Sequence, residues 1–287
     1  MKFRTEITMS PAPFSISHSD KVMMMGSCFA ENISDRMLCA GFTVNVNPFG
    51  VVYNPASLAN GLQELIFRKP YTEADLFLHE GAYHSFSHHS RFSGRDKTAV
   101  LEKINTTLAD ASEFLRQAQL LIITFGTAYV YHLVSTGKVV SNCHKLPARE
   151  FEEKRLTVEQ ITEQWNQLIR DIRTVNPEIK ILFTVSPIRH WKNGANANQL
   201  SKAVLLLAVD EMIQSNRQCF YFPAYEIVLD DLRDYRFYAD DLIHPNSQSI
   251  DYIWEKFSDA FFNPSTVKLI REYEAKQKAL NHRKILG

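Results

Sequence analysis

The stretch Val22-Met23-Met24-Met25-Gly26-Ser27-Cys28-Phe29-Ala30 decides the fold of this 287-residue chain. Its apolar run is too short for a helix and has no polar alternation, so it reads as a strand buried on both faces. Gly26 then lets the chain turn sharply, and Ser27 stands where a helix begins. The same layout recurs at Leu120–Phe125 before Gly126, and at Ile179–Val185 before Ser186-Pro187. Weaker versions are Phe42–Val46, ahead of Asn47-Pro48, and Cys219–Phe222, ahead of Pro223. Helical periodicity fills the gaps, at Ala30–Cys39, Pro55–Phe67, Val158–Val175, Gln199–Ser215 and Ser247–Phe262. Strands alternating with helices predict an α/β chain whose parallel sheet is covered on both faces. Ligands of such sheets bind at the carboxyl ends of the strands.

Composition excludes more than it assigns. Thirty-two basic residues balance 32 acidic ones, 45% of residues are apolar and 11% aromatic. Zero net charge argues against attraction of the whole protein to nucleic acid or to an anionic membrane. No stretch is long and apolar enough to span a bilayer, and Glu6, Thr8 and Pro11 interrupt any signal-like start, so a cytoplasmic protein is expected. The four cysteines fit no zinc or CxxC spacing. Cys39 and Cys219 read as buried small hydrophobes. Repeats and flexible linkers are lacking. The expected organisation is therefore one domain over 1–287, with an irregular cover at about 54–116 and a charged helical tail at about 266–287.

Two places carry chemistry. Ser27 sits between a strand end and a helix start, where unpaired N–H groups favour a developing oxyanion. Taken alone, the Gly-Ser pair fits a plain N-cap better than a nucleophile. The second place is Asp240-Asp241-Leu242-Ile243-His244-Pro245-Asn246. Pro245 and Asn246 mark a helix start, leaving His244 in a loop beside the strand ends. Asp241, three residues earlier, can reach the imidazole, fix its tautomer and stabilise its cation. A solvated acidic turn with a surface histidine fits the same residues.

Together, the serine after the first strand and the distant D-x-x-H-P resemble the SGNH (GDSL-like) hydrolases. The string Gly26-Ser27-Cys28-Phe29-Ala30 resembles the signature of the GSCFA family. So do Asn47-Pro48-Phe49-Gly50, Phe125-Gly126-Thr127-Ala128-Tyr129-Val130-Tyr131, Asn142-Cys143-His144-Lys145 and Ser186-Pro187-Ile188-Arg189-His190. This resemblance runs from about Ser27 to Asn246. It implies a flavodoxin-like three-layer α/β/α sandwich with a mainly parallel sheet, and hydrolysis of an O-acyl ester. An acylated sugar is one candidate substrate. No cofactor, metal, nucleic acid or membrane partner is implied.

The resemblance also implies roles. Ser27 is the nucleophile, His244 the base and Asp241 the residue orienting it. The Ser27 and Gly50 backbone N–H groups are the oxyanion donors. The wider superfamily has an asparagine two residues after the glycine that follows its third strand, but here Gly126 is followed by Thr127 and Ala128. Thr127, or Asn142 if a hairpin over Tyr129–Ser141 folds back, is expected to stand in. Acyl transfer with the same triad, or a silent carbohydrate-binding scaffold, are the other functions compatible with these residues. His144 and Arg189 are expected to line the substrate pocket, with Arg189 taking an anionic group. Cys28 is expected to pack against the sheet. His84 and His88 share the i, i+4 spacing of a zinc pair, but their serine-rich flanks favour a loop.

Overall fold

A computed structural model describes the chain over residues 4–286, with side chains over 4–276. Five strands form the central sheet: β1 (Lys21–Gly26), β2 (Thr43–Val46), β3 (Leu120–Phe125), β4 (Lys180–Val185) and β5 (Cys219–Tyr221). Their order is β5-β4-β3-β1-β2, and every pairing is parallel. This 2-1-3-4-5 arrangement is flavodoxin-like and reverses direction between β1 and β3, where a crevice opens.

The apolar runs are explained by burial on two faces. Met23, Met25, Leu121, Ile123, Ile181 and Phe183 face one layer of helices: α2 (Pro55–Phe67), α3 (Lys97–Gln117), α4 (Val158–Val175) and α5 (Gly194–Ser215). Val22, Met24, Leu120, Ile122 and Leu182 face the other, made by α1 (Cys28–Cys39), α6 (Ser247–Phe261) and the start of α7 (Pro264–Leu286). The result is a three-layer α/β/α sandwich. Trp165, fully buried on α4, is tied to α2 because its indole N–H donates to the Pro55 carbonyl at 3.1 Å. A buried indole N–H without such a partner would be costly.

Two expectations change. The stretch 54–116 is largely regular: α2 and α3 belong to the helical layer, leaving the 3₁₀ turns and the Phe77–His79/Ala82–His84 hairpin as cover. Helix α3 hides in the sequence because its apolar stripe is narrow. Only Val100, Ile104, Leu108, Ala111 and Leu115 carry it, among polar neighbours, and Asp96 starts it by accepting from the Thr98 and Ala99 N–H groups. Cys39 is exposed, because the last residue of α1 turns away from the core, while Cys219 is buried.

The end of β1 is unusually constrained. Gly26 has φ +146°, and a Cβ there would sit 2.3 Å from the Thr124 carbonyl oxygen of β3. A Gly26→Ala variant is therefore expected to lose about 3 kcal/mol of stability or more. Denaturant titration would register this; a midpoint unchanged from the wild type would contradict it.

Candidate active site

The ends of β1, β3 and β4 open into a cavity of about 550 Å³. It receives Cys28 after β1, Thr127 after β3, and Ile188, Arg189 and His190 after β4. The strand Tyr129–Leu133, paired antiparallel with Phe151–Arg155 and Val139–Val140, supplies a side wall through Tyr129, Tyr131, Ser141 and Asn142. The hairpin does fold back over the strand ends.

His244 borders this cavity, and Asp241 holds it. The His244 Nδ1 lies 2.6 Å from the Asp241 Oδ2, while Oδ1 accepts the His244 and Ile243 N–H groups at 2.9 Å each. Nδ1 is thereby committed to the carboxylate, and Nε2 is left without a partner among the described residues. The backbone N–H bonds from His244 and Ile243, with the imidazole behind them, pull the Asp241 carboxyl down to about 2. The loop is closed by Ala239 N–H donating to the His244 carbonyl at 2.7 Å and Leu242 N–H to the Ala239 carbonyl at 2.8 Å. Asn246 then caps α6, accepting the Ser249 N–H.

Ser27 caps α1 as its position in the sequence suggests. Its Oγ accepts the Phe29 N–H at 3.3 Å, and the residue is 1% exposed. In this conformation Ser27 makes no hydrogen bond to His244 among the described residues, and the cavity wall next to it is Cys28. The expectation that Cys28 lies wholly against the sheet therefore changes. Cys28 is partly packed on the apolar layer and partly lines the cavity.

The geometry gathers a histidine–aspartate pair and the Ser27–Cys28 turn around one cavity at the switch point of the sheet. A model of the GSCFA family matches residues 21–257. The chain belongs to the GSCFA family. No curated sequence matches it. Among solved structures, it is similar to a family 3 carbohydrate esterase of Clostridium thermocellum, at 11% identity and TM-score 0.40, covering 88% of this chain and 98% of that one. It is also similar to a family 3 carbohydrate esterase of Talaromyces cellulolyticus, at 10% identity and TM-score 0.37, covering 88% and 99%.

In this GSCFA protein the expected oxyanion donors are already engaged. The Gly50 N–H donates to the Asn47 carbonyl at 2.7 Å in a tight turn. Its φ of +82° requires glycine there, as does the His89 Cβ, which would lie 2.2 Å from any Cβ at position 50. The Ser27 N–H donates to the Thr124 carbonyl at 3.3 Å. Thr127 lines the cavity, but its N–H goes to the Tyr53 carbonyl and its hydroxyl to Ser201 at 3.1 Å. His144 does not reach the cavity. It occupies a left-handed turn (φ +47°), bonds the Ser85 carbonyl through Nε2 and stacks on His84 inside the cover. Arg189 borders the cavity, yet its guanidinium donates to the Leu242 carbonyl and lies over the rings of Tyr238, Tyr235 and Trp191. That bond ties Arg189 to the His244 loop.

Asn54, Asn142 and Asn198 line the cavity. Each Oδ1 is held by a backbone N–H, from Ser57, His144 and His190 at 2.8, 2.8 and 2.9 Å. That fixes the orientation of each amide and leaves each Nδ2 as a donor with no acceptor among the described residues. Asn142 is one of the expected site residues; Asn54, which caps α2 by accepting the Ser57 N–H, and Asn198 are not. His190 is kept neutral, its pKa lowered to about 4 by burial and by the nearby Lys202 and His244.

Asp241 should stay ionised down to about pH 2, because a depressed carboxyl gains its proton only as pH falls through the folded value. Carbon-13 titration of the Asp241 carboxyl should place its midpoint well below the ordinary aspartate value of about 3.9. A midpoint at that ordinary value would mean that the Asp241 bonds do not persist in solution.

Proposed function

We propose that this protein is a serine hydrolase acting on an O-acyl ester. The observation that carries the reading is the 2.6 Å Asp241–His244 pair: His244 borders the cavity that Cys28, the residue after Ser27, also lines, and its Nε2 has no partner among the described residues. On substrate entry the Ser27 Oγ exchanges its weak 3.3 Å cap for the His244 imidazole. It attacks the ester carbonyl as His244 Nε2 takes its proton. The tetrahedral intermediate collapses, His244 returns the proton to the leaving alcohol, and Ser27 remains acylated. Water, deprotonated by His244, then adds to the acyl group, and the acid and free serine are released.

The amide donors of Asn54, Asn142 and Asn198 are placed to meet oxygen atoms, the developing oxyanion among them. The remaining wall suits an acylated sugar. Tyr53, Tyr129, Tyr131 and Trp191 line the cavity. Glu153 is already occupied by the Tyr131 hydroxyl and by Lys192. A neutral polyhydroxylated group fits that inventory better than a charged one.

One observation favours a second reading. Cys28, not Ser27, is the neighbour exposed to the cavity, so a thiol nucleophile with His244 as base uses the geometry as it stands. Burial works against it, because it raises the Cys28 thiol pKa and lowers the thiolate fraction. Kinetics on short p-nitrophenyl acyl esters separates the two. The serine mechanism predicts a loss in kcat of about 10⁴-fold or more for Ser27→Ala. It predicts a change of no more than about threefold for Cys28→Ala. The reverse pattern assigns the chemistry to Cys28, and turnover unchanged in both variants removes the hydrolase reading.

A further inference from the structure

Lys202 is, among the described residues, the one buried amine of the site that the mechanism above does not use. It projects from α5 beneath the cavity wall, between Ser201 and the segment after β3, and is 1% exposed. Its Nζ donates to the Gly126 and Ser186 carbonyls at 2.6 Å each. These are the first carbonyls beyond β3 and β4. The groups facing Nζ from the surrounding elements are the Cys28 thiol of α1, the His190 imidazole after β4, and the Tyr225 ring 5.7 Å away. None of these is a carboxylate.

Such a placement is costly if it is only structural. Two neutral carbonyls do not offset the desolvation of an ammonium, and methionine would fill the same space without that cost. A buried cation without an anion beside it would favour an anion that forms nearby during the working cycle. Its surroundings supply the place. Gly126, one of its two partners, begins the segment that carries Thr127 into the cavity wall. Thr127 and Ser201, adjacent in sequence to Gly126 and Lys202, both border the cavity.

We propose that Lys202 is a positioning residue for acyl transfer, supplying through the Gly126 and Ser186 carbonyls the positive potential that stabilises the oxyanion. This rests on the hydrolase reading. Without the ammonium, the Gly126 and Ser186 carbonyl oxygens would lose the donor that holds and neutralises them. With it, both are held and neutralised, and the low-dielectric wall transmits the remaining potential. Burial lowers the lysine to about 7, so the cation is fully present at acid pH, is half lost near neutrality and disappears as pH rises further.

The test measures kcat and KM on a short acyl ester from about pH 5 to about pH 10. It uses wild type, Lys202→Met and Lys202→Arg, with folding followed by circular dichroism, and Ser27→Ala as the check on the reading itself. The wild type should lose kcat on the alkaline side. Lys202→Met should lose about a hundredfold in kcat with KM little changed, and should lack the alkaline limb. Lys202→Arg should recover part of kcat and carry no limb below about pH 10, since guanidinium does not deprotonate there. A folded Lys202→Met with kcat within about threefold of wild type overturns the inference. So does a wild type with no alkaline limb, a result that needs no variant to fold. If Ser27→Ala leaves turnover intact, it is the hydrolase reading that fails.

Discussion

Five parallel strands ending on one edge leave their last carbonyls and N–H groups without ladder partners, and the site is built from whatever satisfies them. The Gly26 carbonyl takes the Val52 N–H, and the Thr124 carbonyl takes the Ser27 N–H. The Tyr53 carbonyl accepts from both Gly126 and Thr127. The Gly126 and Ser186 carbonyls take the Lys202 ammonium. Each such bond also places a side chain: Val52 and Tyr53 lead into Asn54, Ser27 into Cys28, and Ser186 into Arg189 and His190. The cavity is the space that remains once the edge has been satisfied.

The Asp241–His244 loop is attached to this edge from the far end of the chain. Arg189, leaving β4, reaches the Leu242 carbonyl between the aspartate and the histidine, and three aromatic rings keep its guanidinium in place. Cation–π contacts of this kind contribute about 1 kcal/mol each at partly exposed sites. The loop is thus stiff locally, through the Asp241 bonds to two N–H groups, and is positioned by one side chain from the sheet. That division explains why Asp241 can be exposed and still hold its histidine.

Features written in short spans of sequence are legible there. The strands announce themselves as apolar runs closed by Gly26, Gly126 or Ser186-Pro187. Pro55 and Asn176-Pro177 mark the start of α2 and the end of α4 to the residue. The Asp241–His244 contact spans three residues and follows from turn geometry. Features that depend on distant neighbours are not legible. The Gly50 N–H is consumed by Asn47, so the position supplies a turn instead of an oxyanion donor. Arg189 finds an acceptor in Leu242, a partner 53 residues away in the chain. Lys202 lies in a helix whose periodicity gives no reason for a lysine to point inward; only the two strand ends beneath it do. His144, written beside Asn142 and Cys143, is carried into the cover by a left-handed turn that no local pattern announces.

The central claim is that chemistry begins at Ser27 although its oxygen caps a helix in the resting conformation. Reaction with a fluorophosphonate probe, followed by mass-spectrometric mapping of the adduct, tests this directly. The account predicts a single stoichiometric adduct on Ser27, absent from Ser27→Ala and slowed by replacing His244. An adduct on Cys28, or an intact protein left unlabelled by the probe, would contradict it.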